Sequence, residues 1–207
     1  RNRFIEHTRQ NIVIEMLIGG IDAIGGGIKI FFKLPGRKII EIKDVSKAYG
    51  DKELVKKYYV NMLAYLDYME SHSENGIVVC EERLGWCLGD WCSPGNKNLI
   101  PEPFVNTYFY IRAIKNVIEL SKEIGEPTKE LEARLKKVEK AFLDKYYDKK
   151  TCTFYKSTEA ADAYGFDLGF GNEKTLKAIV DKYEKLGEFD TGIFGTDIVT
   201  RMLFEYG

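Results

Sequence analysis

Apolar residues recur three and four positions apart along most of this chain, the spacing that gathers them on one face of an α-helix. Lys52 to Ser71 places Leu54, Val55, Tyr58, Tyr59, Met62, Leu63, Leu66 and Met69 in such a stripe, and Asn75-Gly76 stops it. Pro101 and Pro103 open a second long helix, with Phe104, Tyr108, Ile111, Ile114, Val117, Ile118 and Leu120 on its apolar side and Gly125 at its end. Pro127-Thr128 starts a third, Leu131 to Tyr147, striped by Leu131, Leu135, Val138, Phe142 and Tyr146. The short Gly-Glu-Pro link makes these two an antiparallel helical hairpin.

Asp148 to Tyr155 reads as a turn followed by β-prone residues, a short strand or extended link. A further helix pair is predicted at Thr158 to Leu168 and Glu173 to Leu186, with Asn172 as N-cap of the second. The Gly-rich run Phe189 to Asp197 then leads into a last helix, Ile198 to Tyr206. Helix pairs alternate with Gly-rich connections, and no βαβ rhythm appears. Residues 1–45 depart from this pattern: Ile18-Gly19-Gly20 and Ile24-Gly25-Gly26-Gly27 break any helix, and Ile28 to Phe32 and Ile39 to Ile42 are β-prone. The segment 1–45 is therefore left without an assignment, and 46–207 is read as one all-α unit.

Composition narrows the chemistry. With 31 Lys and Arg against 32 Asp and Glu, no net field favours nucleic acid or an anionic membrane, and a neutral substrate fits best. Hydrophobic residues at 44%, including 13% aromatics, supply a packed core, yet no run approaches the roughly 20 apolar residues of a membrane span. Arg1-Asn2-Arg3 leads into a charged segment unlike a signal peptide, so a cytoplasmic location is expected, and the missing initiator Met points to a piece of something longer. Cys80, Cys87, Cys92 and Cys152 lack CxxC spacing and read as reduced thiols, with no metal site expected. His7 and His72 sit in no catalytic motif. Gly25-Gly26-Gly27 is framed by neither nucleotide-binding pattern, and no cofactor is expected.

The densest chemistry lies in Gly85-Trp86-Cys87-Leu88-Gly89-Asp90-Trp91-Cys92-Ser93-Pro94-Gly95, which holds both tryptophans. Glycines let a backbone approach another group closely, an indole offers a sugar or base a flat apolar platform, and a carboxylate accepts hydrogen bonds from ring hydroxyls. Asp90, Trp91 and Trp86 are thus candidate ligand residues; helix capping for Asp90 and core packing for the indoles are the plainer alternatives.

Four blocks in order, Tyr49-Gly50-Asp51 before a Tyr-rich helix, Leu88-Gly89-Asp90-Trp91, Phe104-Val105-Asn106-Thr107-Tyr108-Phe109-Tyr110 and Asp190-Thr191-Gly192-Ile193-Phe194-Gly195-Thr196, resemble the catalytic domain of bacterial α-L-rhamnosidases over about residues 48–207. That resemblance implies a six-hairpin, (α/α)6-toroid-like fold acting on a carbohydrate, a terminal rhamnoside. It also implies hydrolysis with inversion by an acid and a base carboxyl group roughly 6.5–9.5 Å apart. Twelve helices of about 15 residues need far more chain than this, so an incomplete toroid, about half a ring, is expected. Such a ring should leave apolar faces uncovered and self-associate.

In the family the acid lies in an Asp-Glu-Arg-Leu-Gly-Trp-like block ahead of these helices and the base after the Thr-Gly block. Glu81-Glu82-Arg83-Leu84-Gly85-Trp86 imitates the acid block, which would make Glu82 the general acid. The Leu-Gly-Asp-Trp and Phe-Val-Asn-Thr-Tyr blocks that follow at once favour a later loop and a solvated or ion-paired Glu82. Asn106 and Thr107 are expected to cap the helix after that loop, and Asp190 and Asp197 to fix the second Gly-rich block. Another (α/α)6 glycosidase, glucoamylase-like or an unsaturated-glucuronyl hydrolase, is the nearest alternative. A helical-repeat interaction scaffold is the alternative of another class, opposed by the lack of self-similarity and by distinctive residues placed in loops.

Overall fold

The structure, a computed structural model, describes residues 52–79, 89–97 and 99–206. The described residues form six α-helices: α1 Lys52–Ser71, α2 Glu102–Ile124, α3 Lys129–Tyr146, α4 Ala161–Asp167, α5 Glu173–Leu186 and α6 Ile193–Tyr206. Two small antiparallel hairpins join them, β1 Ser73–Glu74 with β2 Ile77–Val78, and β3 Tyr147–Asp148 with β4 Thr153–Phe154. The all-α, toroid-like reading therefore holds. The first hairpin was legible only as a helix stop: Asn75 and Gly76 take φ of 52° and 85°, which lets two residues turn the chain back on itself.

Helix α2 is the centre of the core. Phe104, Tyr108, Tyr110, Ile111, Ile114, Val117 and Leu120 are fully buried, because α1, α3, β2 and α4 all pack on it. Burying side chains of this size stabilises the fold by about 1.5–3 kcal/mol each. Glycine at the end of α2 takes the left-handed conformation: Gly125 sits at φ 81° and its N–H returns to the last-turn carbonyls.

Direction follows from the cross-helix contacts. Tyr59 meets Ser121 at 2.8 Å and the Tyr110 hydroxyl donates to the Leu66 carbonyl at 3.3 Å, so α1 runs against α2. Lys115 pairs with Glu139 at 2.9 Å and the Phe104 ring packs on Tyr146, so α3 also runs against α2. Helices α2, α4 and α6 share a direction. Tyr108 donates to Asp167 at 2.5 Å and Arg201 pairs with the same carboxylate at 3.1 Å, each about two turns into its helix. Burial, then the Asp167 charge, pushes the Tyr108 phenol far above its ordinary range, so it remains a donor. Ala160, just ahead of α4, lies against Gly195 of α6, and Glu159 accepts from Leu99 and Ile100 ahead of α2, so the starts of α2, α4 and α6 lie at one end of the molecule, with the loops before α2 and before α6.

Two predicted boundaries move. Helix α6 begins at Ile193, five residues before the expected Ile198, and α4 begins at Ala161 instead of Thr158. The first shift comes from a distant cap and the second from backbone that cannot be helical, both described below. Asn172 caps α5 as expected, accepting from the Lys174 N–H at 2.9 Å while Thr175 closes the reciprocal bond to the Asn172 N–H at 3.2 Å.

Candidate functional site

The Gly-Asp-Trp block and the Thr-Gly-Ile-Phe-Gly block, a hundred residues apart in sequence, are joined through one carboxylate. Asp90 is wholly buried. Its Oδ2 accepts from the Gly192 N–H at 3.0 Å, and its Oδ1 accepts from the N–H groups of Phe194 and Gly195 at 3.0 and 2.9 Å. The donors belong to the residue before α6 and to its first turn, where N–H groups lack intrahelical partners and the helix dipole favours a negative charge. Next to this cap the Trp91 carbonyl accepts from the Ile193 N–H at 2.8 Å.

Close approach makes the glycines necessary. A Cβ on Gly192 would run into the Asp90 carbonyl, and one on Gly195 would run into the Asp90 carboxylate and Thr191. The Tyr164 hydroxyl, also fully buried, lies near enough to Asp90 to interact with it but reaches good hydrogen-bond geometry with no atom. Burial raises the Asp90 pKa above its ordinary value, and the three amides and Tyr164 pull the other way.

For Asp90 this geometry matches the plainer alternative, a helix cap. A carboxylate with no exposed surface and both oxygens bonded to main-chain donors acts as a helix cap supplied from another loop. Trp91, by contrast, is half-buried and remains a candidate platform. Trp86 and Glu82 lie outside the described residues, as do Cys80 and Cys87. Asn106 and Thr107 lie one turn inside α2, whose N-cap position is Pro101. Thr107 instead donates to the Pro103 carbonyl at 2.6 Å and accepts from the Val78 N–H at 3.0 Å, pinning β2 to α2. Asp190 fixes its loop, accepting from the Tyr183 hydroxyl at 3.0 Å and pairing with Lys182 at 2.8 Å. Asp197 is exposed and faces Arg201 at 3.5 Å.

Sequence reasoning missed Glu159. It is buried, and its Oε2 accepts from the N–H groups of Leu99 and Ile100 at 3.1 Å each, which ties the start of α4 to the loop before α2. Burial raises its pKa, the two amides oppose that, and the charges of Asp90 and Asp190 add to the rise. Its backbone and that of Tyr155, Lys156 and Ser157 take φ of 44°, 40°, 57° and 57°. Left-handed non-glycine residues cost about 1–2 kcal/mol each. The Lys182 ammonium offsets part of that cost by donating to the carbonyls of Glu159 at 2.6 Å and Ser157 at 3.4 Å. Lys-Ser-Thr-Glu ahead of an Ala-rich run looks like an ordinary polar helix start, so no local signal marks Glu159.

Among the described residues no cluster of three or more His, Cys, Asp or Glu could hold a metal ion, and no helix is long and apolar enough to cross a membrane.

The fold is found in solved structures. Over 82% of this chain and 16% of the other, it superposes with a TM-score of 0.70 and 18% identity on the Streptomyces avermitilis alpha-L-rhamnosidase complexed with L-rhamnose. Over 77% of this chain and 19% of the other, it matches the alpha-L-rhamnosidase from Dictyoglumus thermophilum, with a TM-score of 0.65 and 19% identity. The chain thus spans under a fifth of the length of either enzyme. No curated protein matches it. The family model for the bacterial alpha-L-rhamnosidase 6 hairpin glycosidase domain matches residues 39–207, and the chain belongs to that family.

Proposed function

We propose that the protein carrying this domain is a glycoside hydrolase that removes terminal α-L-rhamnosyl units with inversion, using an acid and a base carboxyl group. The observation that carries this reading is the joining of the Gly-Asp-Trp and Thr-Gly-Ile-Phe-Gly blocks by Asp90 at the end where α2, α4 and α6 begin. Trp91 serves as the platform for the apolar face of the sugar, with Trp86 from the same block as a second one. Asp90 contributes by holding Trp91 and the first turn of α6 in place. The general acid and base are assigned to none of the described residues, and Glu82 is the acid candidate within the chain.

Charge favours a neutral sugar over a uronate. Asp90 and Asp190 both act on Glu159 at this end, and Lys182 is paired with Asp190, so a neutral sugar suits it better than a carboxylated one. That observation weighs against the unsaturated-glucuronyl alternative. Helix α6 also supports self-association: Ile193 and Phe204, eleven residues apart and so on one face, are 43% and 91% exposed.

Incubation of the full-length protein with p-nitrophenyl α-L-rhamnoside, followed by proton NMR, tests the reading. β-L-Rhamnose should appear first. An initial α anomer would overturn inversion, and turnover of a glucoside or an unsaturated glucuronide without turnover of the rhamnoside would overturn the substrate.

A further inference from the structure

Trp91 begins a loop that is pinned at both ends by buried carboxylates. At its start, Asp90 and the Trp91 carbonyl are bonded to the first turn of α6. At its end, the N–H groups of Leu99 and Ile100 both point to Glu159 Oε2. Between the two pins Cys92, Pro94, Gly95 and Lys97 are exposed, as is Leu99 at 54%, while Ser93 is buried. The second pin reaches inward because residues 155–157 and Glu159 adopt left-handed backbone, and Lys182 holds that conformation through the Glu159 and Ser157 carbonyls. Strained backbone of this kind persists where surrounding structure dictates it and clusters at ligand clamps.

We propose that Glu159 is a positioning residue for the sugar site: its carboxylate, by fixing Leu99 and Ile100, holds residues 91–97 in the conformation that presents Trp91 to the ligand, without touching the ligand itself. The proposal rests on the rhamnosidase reading for the identity of the ligand. Its consequence is specific. Without the lock, the loop occupies its binding-competent conformation for only part of the time, and apparent affinity falls by that fraction, while bound substrate still reacts at the normal rate. A general loss of folded protein would do the reverse, lowering kcat with KM unchanged.

The test compares Glu159→Ala and Glu159→Gln in the full-length protein, with hydrogen exchange at the Leu99 and Ile100 amides as a second readout. Gln keeps a carbonyl oxygen for both N–H groups. Glu159→Ala should raise KM for p-nitrophenyl α-L-rhamnoside about tenfold with kcat within about twofold, and speed exchange at both amides, whereas Glu159→Gln should stay near the parent in all three. An Ala variant with unchanged KM overturns the proposal. So does a Gln variant as impaired as Ala, which would make the charge, and not the amide bonds, the working feature. Should the parent protein turn over no rhamnoside, the proposed activity fails, and the exchange rates still decide the clamp: equal exchange in Glu159→Ala and the parent overturns it.

Discussion

Asp90 shows how one residue in a sequence can carry two readings, ligand acceptor and helix cap, that only its spatial neighbours separate. A carboxylate between Gly and Trp reads as a ligand acceptor, and its surroundings in the sequence contain nothing to say that three amides a hundred positions later will take both oxygens. Asp90→Ala leaves those amides without their acceptor and should destabilise the fold by about 3 kcal/mol, with Asp90→Asn costing less; urea denaturation measures both. The pH dependence has a definite sign. Because the folded-state pKa lies above the ordinary 3.8, the native form binds the Asp90 proton more tightly than the unfolded chain does. The stability associated with this group is complete below 3.8 and is lost as pH rises through the raised folded value. Asp90→Asn should therefore remove part of a decline in stability with rising pH, and an identical pH slope in the variant would contradict it.

At the level of elements, the long helices were legible because their signals are local. The apolar stripe of α1, the Pro and Gly bounds of α2 and the Asn172 cap of α5 each lie within or beside the helix they define. Helix α6 was misjudged because Asp190 to Thr196 has the composition of a loop and its cap arrives from another part of the chain. Helix α4 was drawn too long because left-handed backbone at Ser157 and Glu159 is fixed by Lys182 and the loop before α2, contacts invisible to propensity. The distant cap makes the first turn of α6 separable from the rest. Gly192→Ala, whose methyl group would collide with the Asp90 main chain, should speed hydrogen exchange in residues 193–197 and leave 198–206 protected. Uniform loss of protection along α6 would show that the cap is not what starts the helix.

At the scale of the molecule, the order of the blocks along the chain carried the family, and alternation of helix pairs carried the architecture. Which loops meet depends on α2, α4 and α6 sharing a direction, and Asp90 joins the two blocks there. The uncovered face of α6 gives a whole-molecule expectation. The chain should associate with increasing concentration in sedimentation velocity, and Phe204→Glu, at a position 91% exposed and free of core contacts, should abolish that without loss of stability. A chain that is monomeric at every concentration would assign that face no such role.

The claim that the joined loops at the starts of α2, α4 and α6 face a deoxy-sugar is tested most directly by titrating the isotopically labelled chain with L-rhamnose and following its amide resonances. Shifts concentrated in residues 89–100 and 189–195 are required. Shifts confined to the opposite end, around Gly125 to Thr128, or none at any rhamnose concentration, would contradict it.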